Sequence, residues 1–149
     1  MENKEKPTHT VGVLIISRDK VLLVRHGETA GHLTGSYGLP GGRANENESE
    51  TETAIRETKE ETNLDVNAVD LSAIPDLYKA RIERKDGAKD FTMRVFVSEK
   101  FGGEIIGTDE TTPKWVDINN LNSYKLLPNV DKMIKDGLEI VNLTLINSD

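Results

Sequence analysis

One segment of this chain carries its own start and stop signals. Ser49 and Glu52 form a Ser-x-x-Glu capping box, which satisfies two orphan backbone donors at a helix N-terminus. Asn63 closes the segment, because asparagine tolerates the left-handed backbone common just past a helix end. Within the predicted helix Glu57, Glu60 and Glu61 fall at i, i+3 and i+4, so three carboxylates leave one face. That arrangement is locally unfavourable: like charges at i,i+4 cost roughly 0.2–0.5 kcal/mol. The positions one and two turns earlier, Thr53 and Glu50, are not basic, and no lysine or arginine on that face is expected to offset the charge. Arg56 belongs to another flank, between Glu52 and Glu60. Ile55, Thr58 and Thr62 share a further face and are the expected contact with the core. The triplet is therefore either a solvated acidic surface or the seat of a hard divalent cation, since magnesium, calcium and manganese take oxygen ligands.

The rest of the chain favours a globular domain around this helix. With 149 residues it is long enough to bury a sizeable core, and the reading is one domain, its core over residues 8–137 and a tail over 138–149. No apolar run approaches the ~20 residues of a membrane span, so no membrane partner is expected. The absence of cysteine fits a cytoplasmic protein. A net charge of −7 argues against polymeric nucleic acid, whose phosphates call for a basic surface. It leaves room for a small phosphorylated ligand, because bound cations invert the local field. Residues 46–61 alone hold seven acids against two bases.

Residues 10–17 and 21–25 are β-branched runs joined by the turn Arg18-Asp19-Lys20, which predicts a hairpin. Arg25 and His26 at its end are within reach of a phosphate, or in Arg25's case of a surface ion pair. His26 and His32 lie in a loop of glycine and small polar residues, where histidines are normally solvated. Residues 37–39 form a short predicted strand leading into Gly41-Gly42, which permit a tight turn and close approach. Strands are expected over 65–74, 77–84 and 91–99, with Asp86-Gly87 as a turn and Phe91, Met93, Val95 and Val97 on one face. Tyr37, Tyr78 and Phe91 are base-stacking candidates, although aromatics at strand positions usually serve the core. Residues 107–113 read as a loop containing Glu110, residues 114–116 as a strand, and Trp115 as core. A second helix is expected over 128–136, with Pro128 in its first turn and Gly137 as its stop. The apolar tail 138–146 is expected to be an edge strand or a subunit contact. The chain carries no repeat.

The spacing Gly42, five residues, Glu48, seven residues, Arg56-Glu57-Thr58-Lys59-Glu60-Glu61-Thr62-Asn63-Leu64 resembles the Nudix box, Gly-x5-Glu-x7-Arg-Glu-U-x-Glu-Glu-x-Gly-U, with U a bulky aliphatic. Residues 38–42, Gly-Leu-Pro-Gly-Gly, resemble the entry to that box. Two positions depart: Thr58 replaces an aliphatic and Asn63 a glycine, and neither removes a ligand. The resemblance spans about residues 11–137, its specific part being 38–64. It implies an α/β/α sandwich with a mixed sheet, and hydrolysis of a diphosphate linkage in a nucleoside diphosphate derivative with Mg2+ or Mn2+. It further implies Glu60 and Glu61 as principal metal ligands, Glu57 as ligand or base, the Gly41 carbonyl as a further ligand, and Glu48 and Arg56 as orienting partners. Glu110 is a second candidate base.

The compact length favours a small substrate such as a nucleoside triphosphate, cut to the monophosphate. The alternatives are an ADP-sugar pyrophosphatase of the ADP-ribose type, a non-catalytic nucleotide sensor, and an acidic protein-interaction domain. The chain is expected to be a monomer or homodimer. Arg25, Tyr37, Tyr78 and Phe91 are the candidate substrate contacts.

Overall fold

The computed structural model describes residues 6–26, 35–84, 87–109 and 111–146. The expected hairpin forms from β1 (Thr8–Ser17) and β2 (Lys20–His26), but its strands pair only at the closed end, Ile16 with Val21 and Ser17 with Lys20. Arg18 takes the left-handed backbone the turn needs, with φ 57°. Beyond that end the strands part. On the edge of β1 that β2 leaves open, Val11 and Gly12 pair with β4 (Gly41–Gly42). Strand β2 pairs with β3 (Tyr37–Gly38) and along its whole length with β7 (Thr111–Asp117). The other edge of β1 runs parallel to β6 (Gly87–Ser98), which pairs antiparallel with β5 (Ser72–Arg84) at the sheet edge. The sheet is therefore mixed.

Alternation then makes two cores. Leu14, Ile16, Val21, Leu23, Val95 and Val97 face one side, where helix α2 (Val130–Ile146) covers them with Val130, Met133 and Ile134. Val11, Val13, Ile15, Leu22 and Phe96 face the other, under helix α1 (Glu50–Thr62) with Ala54 and the Leu64 that follows it. This is the three-layer α/β/α arrangement expected. No described helix is long and apolar enough to cross a membrane.

Helix α1 has the predicted ends: both hydrogen bonds of the Ser49–Glu52 capping box form, and Asn63 is left-handed at φ 72°. Thr58 and Thr62 are fully buried and Ile55 partly so, which bears out the expected core face. Its first turn is tied to the sheet, since His9 Nε2 lies 2.7 Å from Glu50 Oε2 and His9 Nδ1 lies 2.8 Å from Thr92 Oγ1. Trp115 joins the core beneath α1 beside Phe101, as expected.

Five expectations change. Residues 65–74 are not one strand: Asp65 bridges Gly102, a 3-10 turn spans Ala68–Asp70, and β5 runs from Ser72 through both expected strands. Its register shifts between Ala73 and Leu77, where Pro75 has no N–H for the ladder. Arg94 Nη1 donates to the carbonyls of Ile74 and Pro75, both at 3.1 Å, and so satisfies that irregular stretch. The loop expected to reach residue 113 ends earlier, because β7 begins at Thr111. Gly137 does not stop the second helix, and Pro128 precedes it. The tail continues α2 to Ile146 rather than forming a strand. The physical reason is packing: a Cβ at Gly137 would clash with the Leu14 side chain and press on Val97. The glycine lets the helix lie close to the sheet.

Candidate active site

Strand β4 lies against α1, and its two glycines make that approach possible. A Cβ at Gly41 would clash with the Val11 carbonyl, and one at Gly42 would sit 2.6 Å from Glu57 Cδ and Oε1. The Gly41 N–H donates to Glu61 Oε1 at 2.6 Å. This contact is made by the amide; the carbonyl that the resemblance implies as a metal ligand is another atom of the same residue.

Arg56 organises the other carboxylates. Its Nε donates to Glu48 Oε2 at 2.8 Å and its Nη2 to Glu48 Oε1 at 2.9 Å, a bidentate pair. Nη2 also donates to the Arg43 carbonyl at 2.9 Å. Nη1 donates to Glu57 Oε1 at 2.9 Å and to Glu60 Oε2 at 3.0 Å. The expectation that no cation offsets the acidic face is thus corrected: the long guanidinium crosses from its own flank to two of the three carboxylates.

These contacts set the electrostatics. Arg56, and after it the Asn45 N–H, hold the Glu48 carboxyl down at about 2. The same carboxylates, Glu48 foremost, push Arg56 further up. Burial raises Glu57 despite Arg56 beside it. Glu61 is pushed up to about 7, first by burial and then by the Glu57 and Glu60 charges, with the Gly41 amide opposing. Glu60 is the exposed member of the set, its side chain 55% accessible against 15% for Glu57.

The donor set suits a hard divalent cation, being all carboxylate oxygen, and Gly42 leaves the space that Glu57 occupies. Two carboxyls raised by burial and mutual repulsion are groups a cation would relieve. Among the described residues, however, no three acidic or imidazole groups already converge as a cage. Arg56 draws Glu57 and Glu60 one way while the Gly41 amide holds Glu61.

Beside the glycines opens a cleft of about 280 Å³. Gly41, Gly42 and Arg43 line one side, Ile82, Phe91 and Met93 another, and Leu127 and Met133 close it, so most of the lining is apolar. Of the candidate substrate contacts, Phe91 and Tyr78 line this cleft. Tyr78 is also core, 4% exposed with its hydroxyl donating to Asp136 Oδ2 at 2.7 Å, and burial followed by Asp136 pushes that hydroxyl's pKa up. Tyr37 instead packs edge-on to Tyr124 at 5.1 Å. Arg25 is exposed on β2 between Tyr37 and Thr112. Neither lines the cleft. Glu110, His32 and the His26 side chain lie outside the described residues.

The sequence reading missed the Arg43 carbonyl, the Asn45 amide and the Thr53 hydroxyl as partners of the Arg56–Glu48 pair. It also missed Met93, Leu127 and Met133 as cleft walls. Backbone partners carry no signature in residue identity, and the walls come from segments far apart in the chain.

A model of the NUDIX domain matches residues 6–137. The chain is 31% identical over 140 residues to an ADP-ribose pyrophosphatase of Methanocaldococcus jannaschii, covering 91% of this chain and 76% of that protein. Its fold matches a MutT NUDIX hydrolase from Burkholderia pseudomallei with a TM-score of 0.75 at 21% identity, over 89% of this chain and 98% of the other. It matches the NUDIX domain of Shewanella oneidensis NrtR, solved with ADP ribose, with a TM-score of 0.68 at 18% identity, over 93% and 90%. With the box residues gathered between β4 and α1 on this fold, the chain belongs to the Nudix family, hydrolases that act on diphosphate bonds.

Proposed function

We propose that this protein hydrolyses the diphosphate linkage of a nucleoside diphosphate sugar of the ADP-ribose type, with Mg2+ or Mn2+. The observation that carries the reading is the complete carboxylate set, Glu57, Glu60 and Glu61, held by Arg56 and Gly41 beside an apolar cleft. The ADP-ribose pyrophosphatase relative supports the choice of substrate. Ligand clefts commonly run to about 300–1,000 Å³, so about 280 Å³ suits a nucleobase with the diphosphate left at the glycines.

Glu57, Glu60 and Glu61 would hold the cation, which when bound supplies charge neutralisation at the diphosphate and Lewis acidity toward water. Arg56 keeps Glu57 and Glu60 aimed, and Glu48 fixes the plane of Arg56. Glu57, seated against Gly42, is also the residue we assign to accept a proton from the attacking water. Phe91 and its apolar neighbours stack the base and exclude water.

The test is turnover of ADP-ribose against a panel of nucleoside triphosphates with Mg2+, with products separated by chromatography. AMP and a sugar phosphate from ADP-ribose at the highest kcat/KM is the expected result. Preference for a triphosphate, giving a monophosphate and pyrophosphate, would select the small-nucleotide reading. Cation binding without turnover of any compound would select the sensor.

A further inference from the structure

We infer that Thr53 is a positioning residue for the Nudix carboxylates, acting through Glu48 and Arg56. Glu48 Oε1 accepts three hydrogen bonds: the Asn45 N–H at 2.9 Å, Arg56 Nη2 at 2.9 Å and the Thr53 hydroxyl at 2.8 Å. The Thr53 hydroxyl also lies 2.9 Å from the Ser49 carbonyl. It has one proton for two acceptors, and the ionised carboxylate is the stronger. Thr53 is fully buried, so its hydroxyl meets the Glu48 carboxylate on the protein side rather than in bulk solvent.

Glu48 in turn holds two of the three nitrogens of Arg56, and the third, Nη1, holds Glu57 and Glu60. A guanidinium is planar, so a tilt at the Glu48 end displaces the Nη1 end. The hydroxyl of Thr53 therefore stands at the root of a chain that runs through Glu48 and Arg56 to two of the proposed cation ligands. The box pattern leaves this position open to any residue, yet its geometry here asks for a short side-chain donor.

The inference rests on the reading of Glu57, Glu60 and Glu61 as a cation-binding set, and the experiment separates the two. Calorimetry with Mn2+ alone would be run on the full chain as wild type, Thr53→Val, Thr53→Ser, Glu48→Ala and the Thr53→Val/Glu48→Ala double variant, alongside thermal melts and ADP-ribose kinetics. Thr53→Val keeps the shape and removes the donor. It should weaken Mn2+ binding about three- to tenfold and lower kcat similarly with KM little changed. Thr53→Ser should restore both, and Thr53→Val should add nothing in the Glu48→Ala background. Should Thr53→Val fail to fold, Thr53→Ala takes its place. Wild-type affinity in the folded variant, or an equal loss with Glu48 absent, overturns the role of Thr53. A wild-type chain that binds no Mn2+ overturns the cation site itself, and this inference with it.

Discussion

The amide of Gly41 and the carboxylate of Glu61 meet at 2.6 Å across 20 residues of sequence. The contact joins strand β4 to the last turn of α1, and it is available because Gly41 lies against the Val11 backbone, where no side chain fits. It holds a carboxylate in a place that burial makes unfavourable for charge.

Glu61→Gln keeps an acceptor for the Gly41 amide and removes the charge. Cation-dependent hydrolysis should fall by at least about 100-fold while the thermal melt stays at or above that of the wild type. Undiminished phosphate release by the folded variant would remove Glu61 from the site.

The same carboxyl makes stability depend on pH. Its folded pKa of about 7 lies above the ordinary value of 4.5, so its contribution is present below pH 4.5 and lost as pH rises through about 7. Glu57, also raised by burial, acts in the same direction. Glu48 has the opposite sign, lowered to about 2, but its contribution is lost only as pH falls below 4.5. Metal-free protein in a chelator should therefore melt several degrees lower at pH 8 than at pH 5. Glu61→Gln or added Mg2+ should flatten that slope, as differential scanning fluorimetry would show.

Gly41 and Gly42 are expected to fail differently when given a methyl group. Gly41→Ala drives a Cβ into the Val11 carbonyl and should cost about 1–3 kcal/mol of stability, read from urea unfolding. Gly42→Ala meets only the end of the Glu57 side chain, which can swing aside. Its unfolding midpoint should move little while kcat drops at least about tenfold. Equal effects of the two substitutions on stability would contradict this division.

Thr58 is fully buried and its hydroxyl has no hydrogen-bond partner among the described residues. Thr58→Val keeps the shape and removes an unpaired polar group, so it should stabilise the chain by about 1 kcal/mol without changing turnover. A loss of stability on chemical unfolding would show that the hydroxyl is satisfied in solution.

What could be read without coordinates was local. The capped helix, the left-handed Asn63, the hairpin at Arg18 and the shared face of Glu57, Glu60 and Glu61 follow from hydrogen bonds and periodicities a few residues long. The Gly-x5-Glu-x7-Arg spacing lay open for the same reason, since residue types at fixed offsets suffice to show it. The stop expected at Gly137 failed because a glycine has the same appearance whether it ends a helix or lets one approach a sheet, and the neighbours that decide are Leu14 and Val97.

The folded chain alone reveals that the Arg56 plane is set by Glu48 and the Arg43 carbonyl, that Gly41 offers its amide to Glu61, and that Phe91 lines a cleft whereas Tyr37 packs on Tyr124. Residue order settles which helix carries the acids and which glycines precede it. It left open how those parts meet, because the Gly41–Glu61 contact joins β4 to α1 and the cleft gathers β4, β5, β6 and α2, so both exist only once the sheet has formed.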